Sequence, residues 1–276
     1  MMRRRFMNSI NSVPLTFEAL EDGLSITFSN EILYCINGGT WETLLVGENT
    51  KEVNKGSVIS FQHSKGFFAD GSVGSFYTNK KCNVYGACSS IIPKVFGDKF
   101  MSSGLFQYLF YNCSTIVDAS RLELPAMTLA EDCYRYMFSG CSSLTTAPEL
   151  PATTLAKSCY TNMFEGCTSL TTARELPATT LATGCYERMF YGCTSLIEAP
   201  ELPATTLAKS CYYYMFSRCN KLSFIKMLAT DISANTCLYG WVYVVASTGV
   251  FVKNKNATWT VTGPSGVPRG WTIKYE

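Results

Sequence analysis

One phrase recurs through the middle of this chain. ELPATTLAKSCYTNMFEGCTSLTTA (Glu149 to Ala173) returns as ELPATTLATGCYERMFYGCTSLIEA (Glu175 to Ala199). A third copy, ELPATTLAKSCYYYMFSRCNKLSFI, starts at Glu201, and a looser one, ELPAMTLAEDCYRYMFSGCSSLTTA, at Glu123. Its prolines stand at 125, 151, 177 and 203, a strict spacing of 26 residues. A fixed period of this size marks one supersecondary unit stacked on copies of itself. About six large apolar side chains per unit, at ~1.5–3 kcal/mol each, give roughly 10–15 kcal/mol. Ordering the backbone costs about 1–2 kcal/mol per residue, so a lone unit fails and units that share faces succeed. Such an array offers a long regular surface and rarely a catalytic pocket.

The rest of the composition bounds the chemistry. The 276 residues are 47% hydrophobic and 16% charged, with net charge +2. A sizeable core is expected, and neither nucleic acid nor a strongly basic partner is indicated. No apolar run is long enough to span a bilayer. The start, MMRRRFMNSINSVPLTF, lacks the apolar segment of a signal peptide, so with Met1 as the true start the ordinary secretory route is not expected. Of 13 cysteines, Cys88, Cys113, Cys141, Cys167, Cys193 and Cys219 share one repeat position. Cys133, Cys159, Cys185, Cys211 and Cys237 share another, leaving Cys35 and Cys82 outside the repeat. Reduced thiols packed as small soft hydrophobes are the favoured reading, with disulfides between stacked units left open.

The repeat does not fill the chain. Residues 1–13 read as a loose arm. Between 14 and 80, short runs such as LTFEAL, LSITFSN, ILYCING and SVISFQH alternate with Gly- and Asn-rich turns, which predicts a small β-sandwich-like domain. Repeat signals extend over 81–226, and 227–276 reads as a degenerate last copy followed by a β-rich cap built from VYVVAS, GVFVKN, TWTVTG and WTIKYE. Within one unit, Leu144, Ala147, Leu150, Leu155, Met163, Phe164 and Cys167 are the expected inward residues. Leu-Thr-Thr-Ala predicts a short strand paired in parallel with its copies, ended by Pro151. Thr154 to Glu165 predicts a short helical or turn segment, with Cys159, Met163 and Phe164 on one face.

The order Leu150-Pro151, Met163-Phe164, Cys167-Thr168-Ser169-Leu170 resembles the BspA-type leucine-rich repeat, whose unit runs I-P, A-F, C-x-x-L. The likeness covers about residues 84 to 240 and departs in unit length and in Met where Ala is commoner. It implies an α+β repeat solenoid: a right-handed leucine-rich-repeat coil with a parallel β ladder, preceded by the β-sandwich and closed by the cap. The chain also resembles proteins of gut Bacteroides and their phages, which open with PLTFEALEDG, as at Pro14 to Gly23, and end in the pattern of Gly266 to Thr272. That resemblance implies display on a virion or bacterial cell surface and adhesion to host proteins or glycans. It names no catalytic residues.

No nucleophile, metal or phosphate motif occurs, and His63 is the only histidine. No enzyme activity, cofactor or metal is expected. The glutamates at 123, 149, 175 and 201 recur beside the expected strand, either as a solvated edge or as a stripe for a cationic partner. The candidate binding face comprises Thr145, Thr146, Thr171, Thr172, Arg174, Ile197, Glu198 and Phe224, together with the off-frame tyrosines Tyr191, Tyr213 and Tyr214. The expected function is non-enzymatic recognition of a host surface protein or glycan, with the β-domain available for other virion or surface proteins. A homo-oligomer is compatible with this reading. The rival is a purely structural virion component with no host ligand.

Overall fold

The computed structural model describes residues 13–64, 73–92, 102–124 and 126–276. The expected arm therefore lies outside the described residues except for Val13, as do Arg3, Arg4, Arg5 and Pro125.

The N-terminal part contributes β1 (Leu15–Ala19), β2 (Ile26–Phe28), β3 (Ile32–Ile36), β4 (Glu42–Leu44), β5 (Val58–Gln62), β6 (Phe76–Thr78) and β7 (Cys82–Ala87). Then come a four-residue 3-10 turn at Cys88–Ile91, β8 (Ile116–Asp118) and β9 (Leu122–Glu123). Strand β1 is central, antiparallel to β5 on one side and β7 on the other. The sheet runs β4-β3-β5-β1-β7-β8, and β9 also pairs with β7. The β7–β8 and β7–β9 pairings are parallel, so one strand joins the antiparallel part to the first repeat unit. Strands β2 and β6 form a separate antiparallel pair. Phe17 gathers Phe61, Phe76 and Phe110 at ring-centroid distances of 5.7, 5.2 and 6.0 Å. Gly86 (φ +84°) has no substitute where the chain enters, because a Cβ there would lie 2.1 Å from the Pro14 carbonyl oxygen.

Past residue 102 the chain builds turns. Residues 104, 108 and 112 have positive φ, and so do 132, 136 and 140, then 158, 162 and 166, and onward to 236, 240 and 244. One left-handed residue therefore falls at every fourth position of each turn segment. Only six of these 18 are glycines, Gly104, Gly140, Gly166, Gly184, Gly192 and Gly240. The local consequence is a period of four rather than 3.6. Cys159-Tyr160, Met163-Phe164 and Cys167 all point inward, and so do their counterparts in the next copy, Cys185-Tyr186, Met189-Phe190 and Cys193.

Backbone hydrogen bonds follow the same rhythm. Tyr134, Tyr136, Phe138 and Gly140 donate to the carbonyls of Cys159, Thr161, Met163 and Glu165 in the next unit, at 2.7–3.0 Å. The intervening Arg135, Met137, Ser139 and Cys141 close turns on Asp132, Tyr134, Tyr136 and Phe138. No amide of that stretch is left without a partner, which offsets the left-handed strain of roughly 1–2 kcal/mol per non-glycine residue.

Two aromatic columns run through the stacked units. One passes from Phe106 through Tyr134, Tyr160, Tyr186 and Tyr212 to Trp241 at 5.7–6.3 Å per step. The other passes from Phe110 through Phe138, Phe164, Phe190 and Phe216 at 5.0–5.7 Å and also meets Trp241, at 6.1 Å. Each such pair adds about 0.5–1.5 kcal/mol beyond the area it buries. Phe110 also stacks on Phe76, so the second column continues into the N-terminal phenylalanines.

All 13 cysteines are free and buried. In one cysteine column the thiols of Cys141, Cys167, Cys193 and Cys219 donate to the carbonyls of Phe110, Phe138, Phe164 and Phe190 at 3.1–3.2 Å. Burial pushes the thiols of Cys82, Cys113, Cys159 and Cys211 up to about 12. They pack as protonated, inert side chains.

Beyond the repeats, β10 (Phe224–Met227), β11 (Val250–Lys253) and β12 (Thr272–Tyr275) form a three-stranded parallel sheet. Trp241, Trp259 and Trp271 donate to the carbonyls of Gly266, Ala229 and Ala246 and tie these strands to the preceding turns.

This architecture corrects the expected α+β leucine-rich-repeat solenoid. Among the described residues there are twelve strands and no α-helix. They lie in three separate sheets, none of them closed, and no leucine-rich-repeat coil forms. Of the helical or turn segment expected at Thr154 to Glu165, the turn alternative forms, because a left-handed residue at every fourth position breaks a helical ladder. The Leu-Thr-Thr-Ala strands shrink to isolated parallel bridges, Asp118 to Thr146, Thr172 to Glu198 and Glu198 to Phe224. The expected sandwich is a seven-stranded mixed sheet accompanied by a two-stranded pair. Of the four expected cap strands, GVFVKN and WTIKYE supply β11 and β12, whereas VYVVAS lies in turns and irregular backbone and TWTVTG forms only an isolated bridge from Thr262 to Val267.

Candidate functional site

The period of four decides which side chains meet outside the core. Each turn segment presents pairs of outward residues, and stacking at a spacing of 26 sets equivalent positions in columns. Arg188, Tyr214 and Gly240 share one column, and Tyr191, Ser217 and Tyr243 another. A third column holds Gly192, Arg218 and Val244. The Arg188 guanidinium lies 5.2 Å from the centre of the Tyr214 ring and 5.3 Å from that of Tyr191. Arg218 approaches Tyr191 at 5.7 Å. Tyr213 stacks on Tyr239 at 5.4 Å, and Tyr214 meets Tyr239 edge-on at 5.5 Å. Gly240 makes room for this cluster: a Cβ there would lie 2.5 Å from the Tyr214 ring.

These residues border a groove of about 600 Å³ lined by Arg188, Tyr191, Tyr214, Ser217, Arg218, Tyr239 and Tyr243, with Thr262, Pro264 and Ser265 on the C-terminal side. A second groove, about 570 Å³, shares Tyr191, Arg218 and Tyr243 with it. A third, about 540 Å³, shares Arg188 and carries mixed charge from Asp132, Arg135, Lys157, Glu165 and Glu187. Desolvation holds the half-buried Glu187 carboxyl above its usual range, against the opposing pull of Arg188. The Tyr214 phenol is also raised, by desolvation first and by Tyr239 second, with Arg188 acting the other way. The 600 Å³ groove is thus lined by two arginines and no carboxylate. Cation–π contact and open phenol rings suit it to binding.

The expected binding residues separate into two groups. Tyr191 and Tyr214 line the groove and Tyr213 stands beside it. The others lie on the bridge segments. The Thr145 hydroxyl donates to the Val117 carbonyl at 3.0 Å, and Thr146 bridges to Asp118. Thr171 and Thr172 are exposed, Ile197 is 53% exposed, and Glu198 bridges both Thr172 and Phe224 of β10. Arg174 sits where flanking copies have Pro148 and Pro200. Its Nε donates to the Ala147 carbonyl at 2.9 Å and its Nη1 pairs with Glu149 at 3.1 Å, so it fastens one unit to the one before. Glu201 likewise pairs with Lys226 at 3.2 Å, so two of the four recurrent glutamates have cations of this chain beside them.

Sequence reasoning missed Arg188, Ser217, Arg218, Tyr239 and Tyr243. The available signal was their shared frame at steps of 26, which becomes meaningful once the outward positions are known. Among the described residues, no cluster of three or more potential metal-ligating side chains gathers, and no helix is long and apolar enough to cross a membrane. No family model, no curated protein and no solved structure matches this chain.

Proposed function

We propose that this chain is a non-catalytic recognition protein whose ligand lies on the tyrosine–arginine groove. The observation that carries the reading is the clustering of Arg188, Arg218, Tyr191, Tyr214, Tyr239 and Tyr243 on outward positions, beside a core whose inward residues barely vary. The resemblance to BspA-type and phage-borne proteins supports a host surface protein or glycan as the ligand class, and display on a virion or bacterial surface. The test is binding of the intact chain to arrays of glycans and surface proteins, with Tyr214→Ala/Tyr239→Ala as the control. Binding that the double variant loses supports the reading; binding to nothing on either array overturns it.

A structural role in a particle is the second reading. It draws on β12, an outer strand of its sheet whose residues Thr272–Tyr275 are all exposed. An open strand edge accepts another chain's strand. This reading expects assembly through β12 and no change on altering the groove.

A further inference from the structure

The groove carries an electrostatic imbalance. The ring centre of Tyr191 lies 5.3 Å from the Arg188 guanidinium and 5.7 Å from that of Arg218, and Arg188 also lies 5.2 Å from the centre of Tyr214. Two like charges gathered by one ring repel each other and call for an anion. Among the described residues neither arginine has a carboxylate within ion-pair distance. Glu165 and Glu187 line the adjoining grooves instead, and Glu165 accepts from the Asn162 amide. Cation–π contact holds the two guanidinium planes in place, and a guanidinium so held meets a carboxylate with paired N–H donors.

We infer that the groove takes an acidic segment of a partner protein, in which carboxylates stand beside apolar side chains. The inference rests on the recognition reading and chooses among its ligands. The contacts already made by the rings favour a peptide over a sugar. Tyr191 is engaged by both guanidinium groups, Tyr214 by Arg188, and Tyr213 stacks on Tyr239 at 5.4 Å. A sugar stacked on an aromatic platform needs a free ring face, whereas a peptide uses ring edges, hydroxyls and guanidinium forks. Tyr239 and Tyr243, 51% and 49% exposed, add apolar surface beside the arginines that carboxylates alone do not cover. Tyrosine and arginine together are also the residues that carry most of the energy in protein interfaces. Carboxylates therefore seat on Arg188 and Arg218, and the flanking apolar side chains pack on Tyr239 and Tyr243.

The test is selection of a displayed library of random peptides on the full chain, followed by isothermal titration of the enriched sequences as synthetic peptides. Enriched peptides carry several Asp or Glu residues next to Leu, Phe, Trp or Tyr, well above their frequency in the unselected library. Amidating their carboxylates weakens binding about tenfold or more, and added salt weakens it further. Arg188→Gln/Arg218→Gln weakens it by about the same factor, with a melting temperature near the parent's. Arg188→Lys/Arg218→Lys keeps the charge, loses the paired donors and still weakens it about threefold. Poly-glutamate and acidic oligosaccharides bind about tenfold more weakly than the enriched peptides. Enrichment of basic or uncharged peptides, or of the same peptides on the arginine-pair variant, overturns the inference and leaves the recognition reading standing. So does a glycan bound on the arrays with no peptide enriched. Equal binding of poly-glutamate, or by the lysine pair, reduces the site to charge alone and also overturns it. Silence from the library and from every array sinks both readings.

Discussion

Alkaline pH should unfold this protein unusually early, and the buried thiols set the scale. Cys82, Cys113, Cys159 and Cys211 are each pushed by burial from an ordinary value near 9 up to about 12. Cys141, Cys185 and Cys193 move further in the same direction. Folded values above unfolded ones mean that this contribution to stability is whole below about pH 9. It is lost as pH climbs toward 12, because only the unfolded chain releases the protons. At pH 10 each unfolded thiol gains about 1.4 kcal/mol by ionising, so the four together remove roughly 5–6 kcal/mol. A domain's whole stability is typically about 5–15 kcal/mol. The buried tyrosines Tyr134, Tyr160, Tyr186 and Tyr212 act with the same sign at higher pH. Urea midpoints followed by circular dichroism from pH 7 to 11 measure the effect, with thiol titration by a chromogenic disulfide as a second probe. The expectation is a flat midpoint to about pH 8.5, then a steep fall with unfolding near pH 10. Cys159→Ala lowers the midpoint at neutral pH but makes the alkaline fall shallower by about 1.4 kcal/mol per pH unit. A midpoint at pH 10.5 equal to that at pH 8 would refute the burial of these thiols.

The other expectations concern the ends and seams of the stack. Trp241→Ala uncaps both aromatic columns at once and should cost about 3–5 kcal/mol, read as a fall in urea midpoint. Arg174→Ala removes one side-chain bond to the Ala147 carbonyl and one largely exposed ion pair, so about 0.5–1.5 kcal/mol is lost by the same assay, with groove binding untouched.

The stacking was legible because Glu149–Ala173 and Glu175–Ala199 differ so little: copies that similar must share one environment. That Thr154 to Glu165 read as helical or turn, with neither singled out, has a definite cause. Residues i, i+4 and i+8 on an α-helix drift by about 40° per step, so Cys159, Met163 and Cys167 still fall inside an apolar stripe of about 100°. Nine residues cannot separate a period of 3.6 from one of four. The left-handed positions would have separated them, but seven of the 18 are held by Tyr108, Tyr136, Arg188, Tyr214, Arg218, Thr236 and Val244, residue types that carry no left-handed signature. The six glycines, with Asn112, Asp132 and Asn162, carried the signal, but scattered over different frame positions they do not spell out a period of four. The groove was hidden for the same reason: Arg188 and Tyr214 become neighbours only when the turn period and the 26-residue step are applied together.

That hidden period also shows where stability was given up. Arg188, Tyr214 and Arg218 line the groove from left-handed positions with φ of 51°, 51° and 64°. The frame position of Arg218 holds Gly140, Gly166 and Gly192 in the three preceding copies, so glycine is the residue this backbone prefers. On the proposed recognition role, the arginine is kept at this strained position for its side chain. Val244 continues that column at φ 61°, half exposed, and serves as the control for strain without the arginine. Arg218→Gly and Val244→Gly should each raise stability by about 1 kcal/mol, since the side chains removed are exposed and relief of the left-handed strain outweighs glycine's backbone entropy. Only Arg218→Gly should lose ligand. Were Arg218→Gly the less stable protein, the arginine would be a structural strut, and the claim that the groove was built at the expense of the fold would fail.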